Sequence, residues 1–344
     1  MLLSDFDYEL PSELIAQQPL AERDASRMLV LDRATQTWTD RTFKNFTEYL
    51  RQDDVVVVNN SRVIPARLKG RREESGGHVE IFLIRELEPK VWEALVRPGG
   101  RLKKDSRVVC GDGKLTAQIL DEPASELRRV RFHCEGPFDE VLGEIGVTPL
   151  PPYIKRSAGS STEDRERYQT IYAKHRGAIA APTAGLHFTP GVLRDIQARA
   201  SLAEVTLHVG YGTFEPVRVE DVDQHSVSPE TYEISETAAQ RINDALSRGG
   251  RVIVIGTTTM RALESSATSD GVVQPGHSEA TLTLKPGYRF RVASALLTNF
   301  HLPESSLLIL VSAFAGREFV LRAYRHAVDE RYRFYSYGDC MLII

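Results

Sequence analysis

The sequence predicts an α/β protein: a sandwich-like α/β main domain with a small β-barrel domain inserted into it. Two observations support this fold class. Between residue 67 and about residue 136, short alternating runs are separated by turn signals, which is typical of a small barrel. Elsewhere, helix-period and buried-strand patterns alternate, which is typical of helices packed on a sheet. We therefore assign residues 1–66 and 150–344 to the α/β domain, which we expect to be catalytic, and residues 67–149 to the barrel.

The inserted barrel is predicted from short strand-like segments in which apolar side chains recur at the strand period. Glycine-rich turn signals separate them, at Gly76-Gly77, Pro98-Gly99-Gly100 and Gly111-Asp112-Gly113. The predicted strands are Val79–Ile84, Val91–Val96, Arg107–Cys110, Leu115–Leu120 and Arg128–Phe132.

Strands and helices alternate in the rest of the chain. Val55–Val58 is a continuous β-branched run, which is typical of a strand buried on both faces. Ser235 is a predicted N-cap, and the helical stripe that follows it stops at Gly249-Gly250. Arg251–Ile255 reads as a buried strand that ends at Gly256, where another helix begins. Ligands of open α/β sheets bind at such strand ends.

Composition and charge narrow the class of protein. The longest apolar candidate, Leu307–Ala315, is too short to span a membrane and is expected to be a buried helix or strand. The N-terminus lacks the pattern of a signal peptide. The three cysteines have no CxxC spacing, which fits a reducing compartment, and we therefore expect a cytoplasmic protein.

The distribution of charge is uneven along the chain. The net charge is −4, but residues 62–104 contain eleven basic and six acidic side chains. A second basic cluster contains Lys155-Arg156, Arg165 and Arg167. Such clusters are commonly solvated surface, yet they can also line a polyphosphate.

Four segments combine glycine, hydroxyl side chains and histidine. They lie at residues 180–190, 207–214, 297–303 and 335–339, and the first three contain His187, His208 and His301. Each histidine alone could make an ordinary structural hydrogen bond, but together they favour a shared polar site. The first segment also precedes a predicted helix over Gly191–Ala198, so its backbone amides could face an anion.

Several common kinds of site are not indicated. No HxxxH or HxH pair is present and no carboxylate lies at ligand spacing near His187 or His208, so we expect no metal. The patterns of an α/β-hydrolase, a P-loop and a dinucleotide-binding loop are also missing. The residues themselves therefore lead to a cytoplasmic α/β enzyme with a polar, histidine-containing cleft and a basic flank.

These segments belong to an ordered series of blocks that runs along the whole chain. The blocks are Phe6–Pro11, Leu14–Gln17, Val58–Arg67, Pro149–Arg156, Tyr168–Ala173, Pro182–Thr189, His208–Val217, Gly256–Thr258, Arg261–Ser265, Thr298–Pro303 and Phe334–Asp339. Together they resemble the S-adenosylmethionine:tRNA ribosyltransferase-isomerase (QueA) family of queuosine biosynthesis. One block departs from the family pattern, since Ser228 stands where a second histidine after His225 is usual. We therefore give His225 little catalytic weight.

The resemblance implies transfer and isomerisation of the ribosyl group of S-adenosylmethionine onto tRNA. The acceptor would be 7-aminomethyl-7-deazaguanine at the wobble position, and the products would be epoxyqueuosine-tRNA, adenine and methionine. S-adenosylmethionine is thus expected as a co-substrate, with no prosthetic group and no metal, and we expect a monomer with no membrane association.

The family motifs do not assign roles to individual residues, so we give these as hypotheses, and for the histidines they rest on placement beside glycine-rich turns. His187 or His208 would be the base and the other the acid, with His301 a weaker candidate. We expect the donor to be bound by Thr183, Gly185, Gly210, Thr213 and Glu264. We expect tRNA phosphates to be bound by Arg62, Lys155, Arg156 and Arg167.

Two alternatives remain open at this point. A conventional S-adenosylmethionine-dependent tRNA methyltransferase would need a glycine-rich loop after its first strand, and Val58-Asn59-Asn60-Ser61 does not provide one. A non-catalytic RNA-binding protein built around the barrel would need an aromatic surface on which bases stack, and the barrel segment has few aromatic residues.

Overall fold

A mixed sheet of nine strands forms the centre of the α/β part. The computed structural model describes residues 1–98, 102–122, 126–156, 162–214 and 216–344, except for the side chains of Thr162, Thr213 and Phe214. Gly99, Gly100, Arg101 and Glu215, which belong to segments discussed above, lie outside the described residues. The strands of the large sheet are β1 (Arg27–Asp32), β2 (Thr37–Thr42), β3 (Val55–Asn59), β12 (Ser201–Leu207), β13 (Glu230–Ile234), β14 (Val252–Ile255), β15 (Gly276–Ala280), β16 (Ala295–Asn299) and β17 (Cys340–Ile343).

The order of these strands places several chain segments at one edge of the sheet. The order is β15-β13-β12-β3-β14-β16-β17-β1-β2. Strands β12, β3, β14 and β16 run parallel, so that their carboxyl ends meet at one edge. Strand β17 is antiparallel to β16 and parallel to β1, so the amino ends of β17 and β1 reach the same edge. A short parallel pair, β4 (Ser61–Val63) and β11 (His175–Ala178), lies beyond the end of β3.

The inserted segment forms a closed barrel of six antiparallel strands. These are β5 (Arg67–Arg72), β6 (His78–Glu88), β7 (Val91–Arg97), β8 (Arg107–Cys110), β9 (Leu115–Ile119) and β10 (Leu127–His133), in the order β10-β7-β6-β5-β8-β9. Burial alternates along β10, where Arg128, Val130 and Phe132 point inward and their neighbours are exposed. Helix α1 (Phe138–Ile145) follows the barrel.

Six more helices belong to the α/β part. They are α2 (Thr162–Arg167), α3 (Pro190–Arg199), α4 (Glu236–Ser247), α5 (Thr257–Ser266), α6 (Ser306–Ala315) and α7 (Arg317–Asp329). Short 3-10 helices span Leu3–Phe6, Ser12–Leu14, Arg23–Ala25, Phe43–Tyr49, Gly111–Gly113, Thr183–His187, Tyr211–Phe214 and Val222–Gln224. No helix of the described residues is both long and apolar enough to cross a membrane.

The structure confirms the predicted fold class of a mixed α/β protein with a β-barrel. Val55–Val58 is fully buried in β3, and the Ser235 side chain accepts a hydrogen bond from the Ala238 amide at the start of α4. The apolar run from Leu307 lies in a helix, α6. Strand β5 was not among the predicted strands, because its sequence is mostly charged and places few apolar side chains in the core. The boundaries of the two domains stay a prediction.

Candidate functional site

A narrow cavity, here called the edge cavity, lies where the carboxyl ends of β14 and β16 meet. Its wall combines apolar rings and methyl groups with a few polar groups. The wall residues are Tyr153, Tyr168, Ala180, Ala181, Pro182, Thr183, Ala184, Val209, Gly256, Thr257, Thr258, Thr298, Asn299, Phe300, His301, Leu307, Tyr335 and Ser336. Flat apolar surfaces with a few hydroxyl groups are typical of sites for planar heteroaromatic ligands.

The fold holds the wall of the edge cavity in place through specific backbone features. Gly256 directly follows β14 and has φ of 88°, a conformation that favours glycine, and its amide donates to the Leu297 carbonyl at 2.8 Å. Tyr335 also has a positive φ, 73°, although it is not glycine. Strain of this kind persists where the surroundings enforce it and is common at binding sites. The Tyr153 hydroxyl bonds to Ser336 Oγ, and its ring packs edge-on against Tyr335.

Asn299 is the last residue of β16 and is buried in the wall of the edge cavity. Its Nδ2 lies 3.2 Å from the Tyr335 carbonyl, 3.3 Å from the Asp339 carbonyl and 3.3 Å from His187 Nε2. Its Oδ1 is buried without a hydrogen-bond partner among the described residues. A buried acceptor without a partner is costly, so Oδ1 is a candidate contact for a ligand.

His187 lies behind this wall and does not line the edge cavity. It ends the 3-10 helix Thr183–His187 and packs against the Phe43 ring. Its Nδ1 lies 2.9 Å from Ser26 Oγ, and its Nε2 faces Asn299. Burial lowers the pKa of His187 to about 4, so the imidazole is neutral at pH 7.

His301 lines the edge cavity directly. Its Nε2 is 2.9 Å from Thr298 Oγ1, and its backbone is held by the hydroxyls of Tyr8 and Tyr324. Burial lowers the pKa of His301 to about 3. His301 is therefore a neutral hydrogen-bonding group at pH 7 rather than a proton donor.

His208 lines a different and larger space, here called the barrel cleft, between the barrel and the α/β part. The cleft measures about 750 Å³ and is lined from the barrel side by Ile84, Arg85, Glu86, Trp92, Glu93 and Leu127. The opposite wall includes Arg176, Gly177, His208, Val209, Gly210, Tyr211, Gly212, Ser228, Pro229, Glu230, Thr231 and Glu279. Val209 belongs to the walls of both the cleft and the edge cavity, so the two spaces are neighbours.

The His208 ring is packed on Gly177 and is partly exposed to the barrel cleft. Its Nδ1 is buried without a partner among the described residues. Burial is the largest cause that lowers its pKa; His175 and His277 lower it further and Glu233 opposes them. His208 is thus predominantly neutral at pH 7, which a general base requires.

The turn after His208 is anchored by a buried ion pair. The Gly210 amide donates to Glu230 Oε1 at 3.0 Å, and the other carboxylate oxygen is paired with Arg261. The Ser228 side chain lies against Gly212 in this turn, so the position that departs from the family pattern borders the cleft. His225, earlier in the same block, bonds instead to Ser306 Oγ at 2.8 Å.

The structure separates the residues that we expected to bind the donor. Thr183 lines the edge cavity, whereas Gly210 lines the barrel cleft. Gly185 is buried against the Tyr172 hydroxyl, and the Thr213 side chain lies outside the described residues. Glu264 lies in α5, where its carboxylate accepts hydrogen bonds from the Tyr288 hydroxyl and from the amides of residues 291, 292 and 293.

The four expected phosphate-binding residues also differ in their surroundings. Arg62 and Lys155 are exposed, and Arg62 is the register partner of Arg176 at the rim of the barrel cleft. Arg156 instead makes a bidentate ion pair with the buried Asp164 carboxylate. Arg167 donates to the carbonyls of residues 20 and 21. Their roles in binding tRNA stay predictions.

Sequence reasoning did not select Asn299, Tyr153 or Tyr335, which help to form the edge cavity. Asn299 and Tyr335 lie in segments that were singled out, but histidine was preferred there because it can titrate near pH 7. A polar residue at the end of a buried strand was the available signal. Among the described residues, no group of three side chains could hold a metal ion.

Comparisons with known proteins agree along the whole chain. A family model described as "Queuosine biosynthesis protein" matches residues 3–343. A relative from Pelotomaculum thermopropionicum, named S-adenosylmethionine:tRNA ribosyltransferase-isomerase, is 52% identical over 345 residues and covers 100% of both chains. A relative of the same name from Desulforamulus reducens is 49% identical with the same coverage. The crystal structure of S-adenosylmethionine tRNA ribosyltransferase from Thermotoga maritima is similar with a TM-score of 0.56 and 37% identity, covering 99% of this chain and 100% of that one.

Proposed function

This chain belongs to the queuosine biosynthesis protein family, and from that premise we propose how it acts as an S-adenosylmethionine:tRNA ribosyltransferase-isomerase. S-adenosylmethionine is the donor of the ribosyl group, and tRNA is the acceptor. In our proposal the acceptor group is the aminomethyl amine of 7-aminomethyl-7-deazaguanine at the wobble position. Epoxyqueuosine-tRNA forms, and adenine and methionine are released.

The observation that supports this proposal is the pairing of two adjacent spaces of different character. The edge cavity is narrow, aromatic and poor in charge, as a purine requires. The barrel cleft is wider and more polar and could admit a modified base displayed by a tRNA loop. Val209 borders both spaces. A ribose at this junction would have its adenine in the edge cavity and the acceptor amine in the barrel cleft.

The chemistry needs a base, a site for the departing adenine and protection from water. The sulfonium of S-adenosylmethionine acidifies the adjacent ribose carbon, from which a base removes a proton. Adenine then leaves as the sugar opens, the acceptor amine attacks the sugar and loses a proton, and methionine leaves from the sulfonium-bearing carbon as the epoxide closes. We assign the base to His208, because it lines the cleft and is predominantly neutral at pH 7. His301 lies where it could bind the leaving adenine.

The exposed cations would guide the tRNA. Arg62, beside the cleft rim, and Lys155 are the exposed members of the expected phosphate-binding set. Binding should therefore weaken steeply as salt concentration rises, and a flat response would remove the phosphate role. We also propose that the protein acts as a monomer, to be tested by its size in solution, and in the cytoplasm, where its tRNA substrate is found.

One incubation tests the proposed reaction against both alternatives. The protein is mixed with tRNA that carries 7-aminomethyl-7-deazaguanine and with S-adenosylmethionine labelled either in the ribose or in the methyl group. Ribose label in the tRNA, together with free adenine, supports the proposal. Methyl label would instead indicate a methyltransferase, and label in neither case would indicate a binding protein. The same tRNA with guanine at the wobble position is the control.

The base assignment has its own test. His208→Ala should abolish tRNA-dependent release of adenine, whereas His78→Ala, at an exposed barrel position, should not. His187→Ala belongs in the same experiment, since His187 was the other candidate. Full activity in His208→Ala would overturn the assignment of His208 as the base, and full activity in both variants would exclude either histidine from proton transfer.

A further inference from the structure

The orientation of the Asn299 amide is fixed by its chemical surroundings. Two backbone carbonyls, of Tyr335 and Asp339, lie 3.2 and 3.3 Å from one end of the amide. Carbonyl oxygens only accept hydrogen bonds, so the end that faces them must be the NH₂ group. The opposite end is therefore the oxygen, Oδ1.

His187 adds a third restraint on the same amide. Its Nε2, 3.3 Å from Nδ2, must accept, which places the proton of the neutral ring on Nδ1. That proton is donated to Ser26 Oγ at 2.9 Å. The hydrogen bonds that link Ser26, His187 and Asn299 thus have consistent directions. They require a neutral His187, because a protonated ring could not accept from Asn299. Burial, which lowers the pKa of His187 to about 4, keeps it so.

These restraints leave a buried acceptor at the edge cavity. Asn299 belongs to the cavity wall, and its NH₂ group is already held by two carbonyls and by His187, which is not part of that wall, so Oδ1 is the end of the amide left for a ligand. Oδ1 has no hydrogen-bond partner among the described residues. The surrounding rings of Tyr153, Phe300 and Tyr335 favour a flat ligand.

We propose that Asn299 Oδ1 accepts a hydrogen bond from the exocyclic amine of the adenine in S-adenosylmethionine, and that His187 is a positioning residue that holds the amide in this orientation. The inference rests on the proposed function, because it takes S-adenosylmethionine as the ligand of the edge cavity. Asn299 would then distinguish a 6-aminopurine from purines that lack the amine. His187 would contribute to recognition without touching the substrate or transferring a proton.

The test compares the affinity of S-adenosylmethionine with that of two analogues. One analogue has hydrogen in place of the 6-amino group, and the other has a 6-oxo group, whose oxygen would face Oδ1. Equilibrium binding to the whole protein should favour the amine over hydrogen by about 5- to 100-fold, the range expected when a buried acceptor loses its donor. The 6-oxo analogue should bind most weakly, because two acceptors would meet.

Variants then locate the source of the discrimination. In Asn299→Ala, the ratio between the amine and hydrogen ligands should fall close to one. In His187→Leu it should fall in part, and His187→Gln, which can still accept from Asn299 and donate to Ser26, should restore it. A general loss of packing would weaken both ligands together and leave their ratio unchanged, so the ratio separates recognition from stability.

The outcomes distinguish this inference from the function on which it rests. If the wild-type protein binds S-adenosylmethionine and its analogues equally, the role of Asn299 is overturned, even if no variant can be purified folded. An undiminished ratio in Asn299→Ala overturns it as well. If His187→Gln is no better than His187→Leu, the positioning role of His187 is wrong. Failure of the wild-type protein to bind S-adenosylmethionine would overturn the proposed function itself, and this inference with it.

Discussion

Replacing Gly177 with alanine should displace the His208 ring from the barrel cleft. A Cβ on Gly177 would lie 2.9 Å from both Cε1 and Nδ1 of His208. An ordinary contact is about 3.5 Å, so the ring would have to shift by roughly 0.6 Å. Misplacement of a reacting group by about 1 Å can cost about 100-fold, and we therefore expect about a tenfold loss of kcat/KM in Gly177→Ala.

Gly276 provides a matched control for the backbone effect of this substitution. Its φ is 136°, close to the 141° of Gly177, but an added Cβ would have no atom within 4 Å. Both alanine variants should therefore lose stability from backbone strain, by about 1–3 kcal/mol each. Only Gly177→Ala should also lose activity.

The assay measures tRNA-dependent adenine release at saturating and subsaturating donor, with the melting temperature of each variant recorded in parallel. Comparison at a temperature where both variants are folded removes the stability effect. If Gly177→Ala retains the activity of Gly276→Ala, the position of the His208 ring is unimportant. The assignment of His208 as the base would then be refuted along with the steric argument.

Further predictions concern stability and tRNA binding. In the unfolded chain, histidines bind protons below about pH 6.5, whereas folded His187 and His301 do so only near pH 4 and pH 3. The free energy of unfolding should therefore fall as the pH decreases below about 6.5, by up to about 1.4 kcal/mol per pH unit for each histidine. Urea unfolding at pH 7 and pH 5 measures this fall, and an equal slope in His187→Gln would contradict it. Arg62→Ala or Lys155→Ala should reduce the salt dependence of tRNA binding by about one ion. Arg156→Ala should instead lower the melting temperature, because the Arg156 guanidinium holds Asp164. If Arg156→Ala reduced the salt dependence and the Arg62 or Lys155 variant lowered the melting temperature, the assigned roles would have to be exchanged. Glu264→Gln should cost about 1–3 kcal/mol of stability, since an NH₂ group would then face backbone amides. A large rise in the KM for S-adenosylmethionine with unchanged stability would instead indicate that Glu264 binds the donor.

Much of the fold could be predicted because local patterns decide it. The β-branched run Val55–Val58 favours a buried strand, and Ser235 satisfies a backbone amide of its own helix. Strand β5 escaped detection because it is held in the barrel by pairing with β6 and β8 rather than by its own apolar residues. Pairing between distant segments leaves no local signal.

The site was predicted less well, for a related reason. The glycine- and histidine-rich segments do gather at one edge of the sheet, but the sequence does not determine which side of a strand end each residue faces. His187 and His208 were expected to act as an acid–base pair, whereas His208 lines the barrel cleft and His187 is enclosed behind the wall of the edge cavity. Glu264 resembles a ligand-binding carboxylate in sequence, yet its partners are amides 27 to 29 residues further along the chain.

The three histidines now have distinguishable environments, and the dependence of activity on pH should reflect only one of them. His187 is enclosed behind the cavity wall and His301 is buried within it, and burial lowers their pKa values to about 4 and about 3, so both are neutral near pH 6.5. His208 is partly exposed, and its pKa is lowered mainly by burial and also by His175 and His277, against the opposing charge of Glu233. Protonation removes its capacity as a base. We therefore expect kcat/KM to decline on the acid side with a midpoint below pH 6.5. His187→Gln should keep this decline and His208→Gln should lose it, leaving a low, flat rate. An unchanged acid limb in His208→Gln would place the base elsewhere in the cleft.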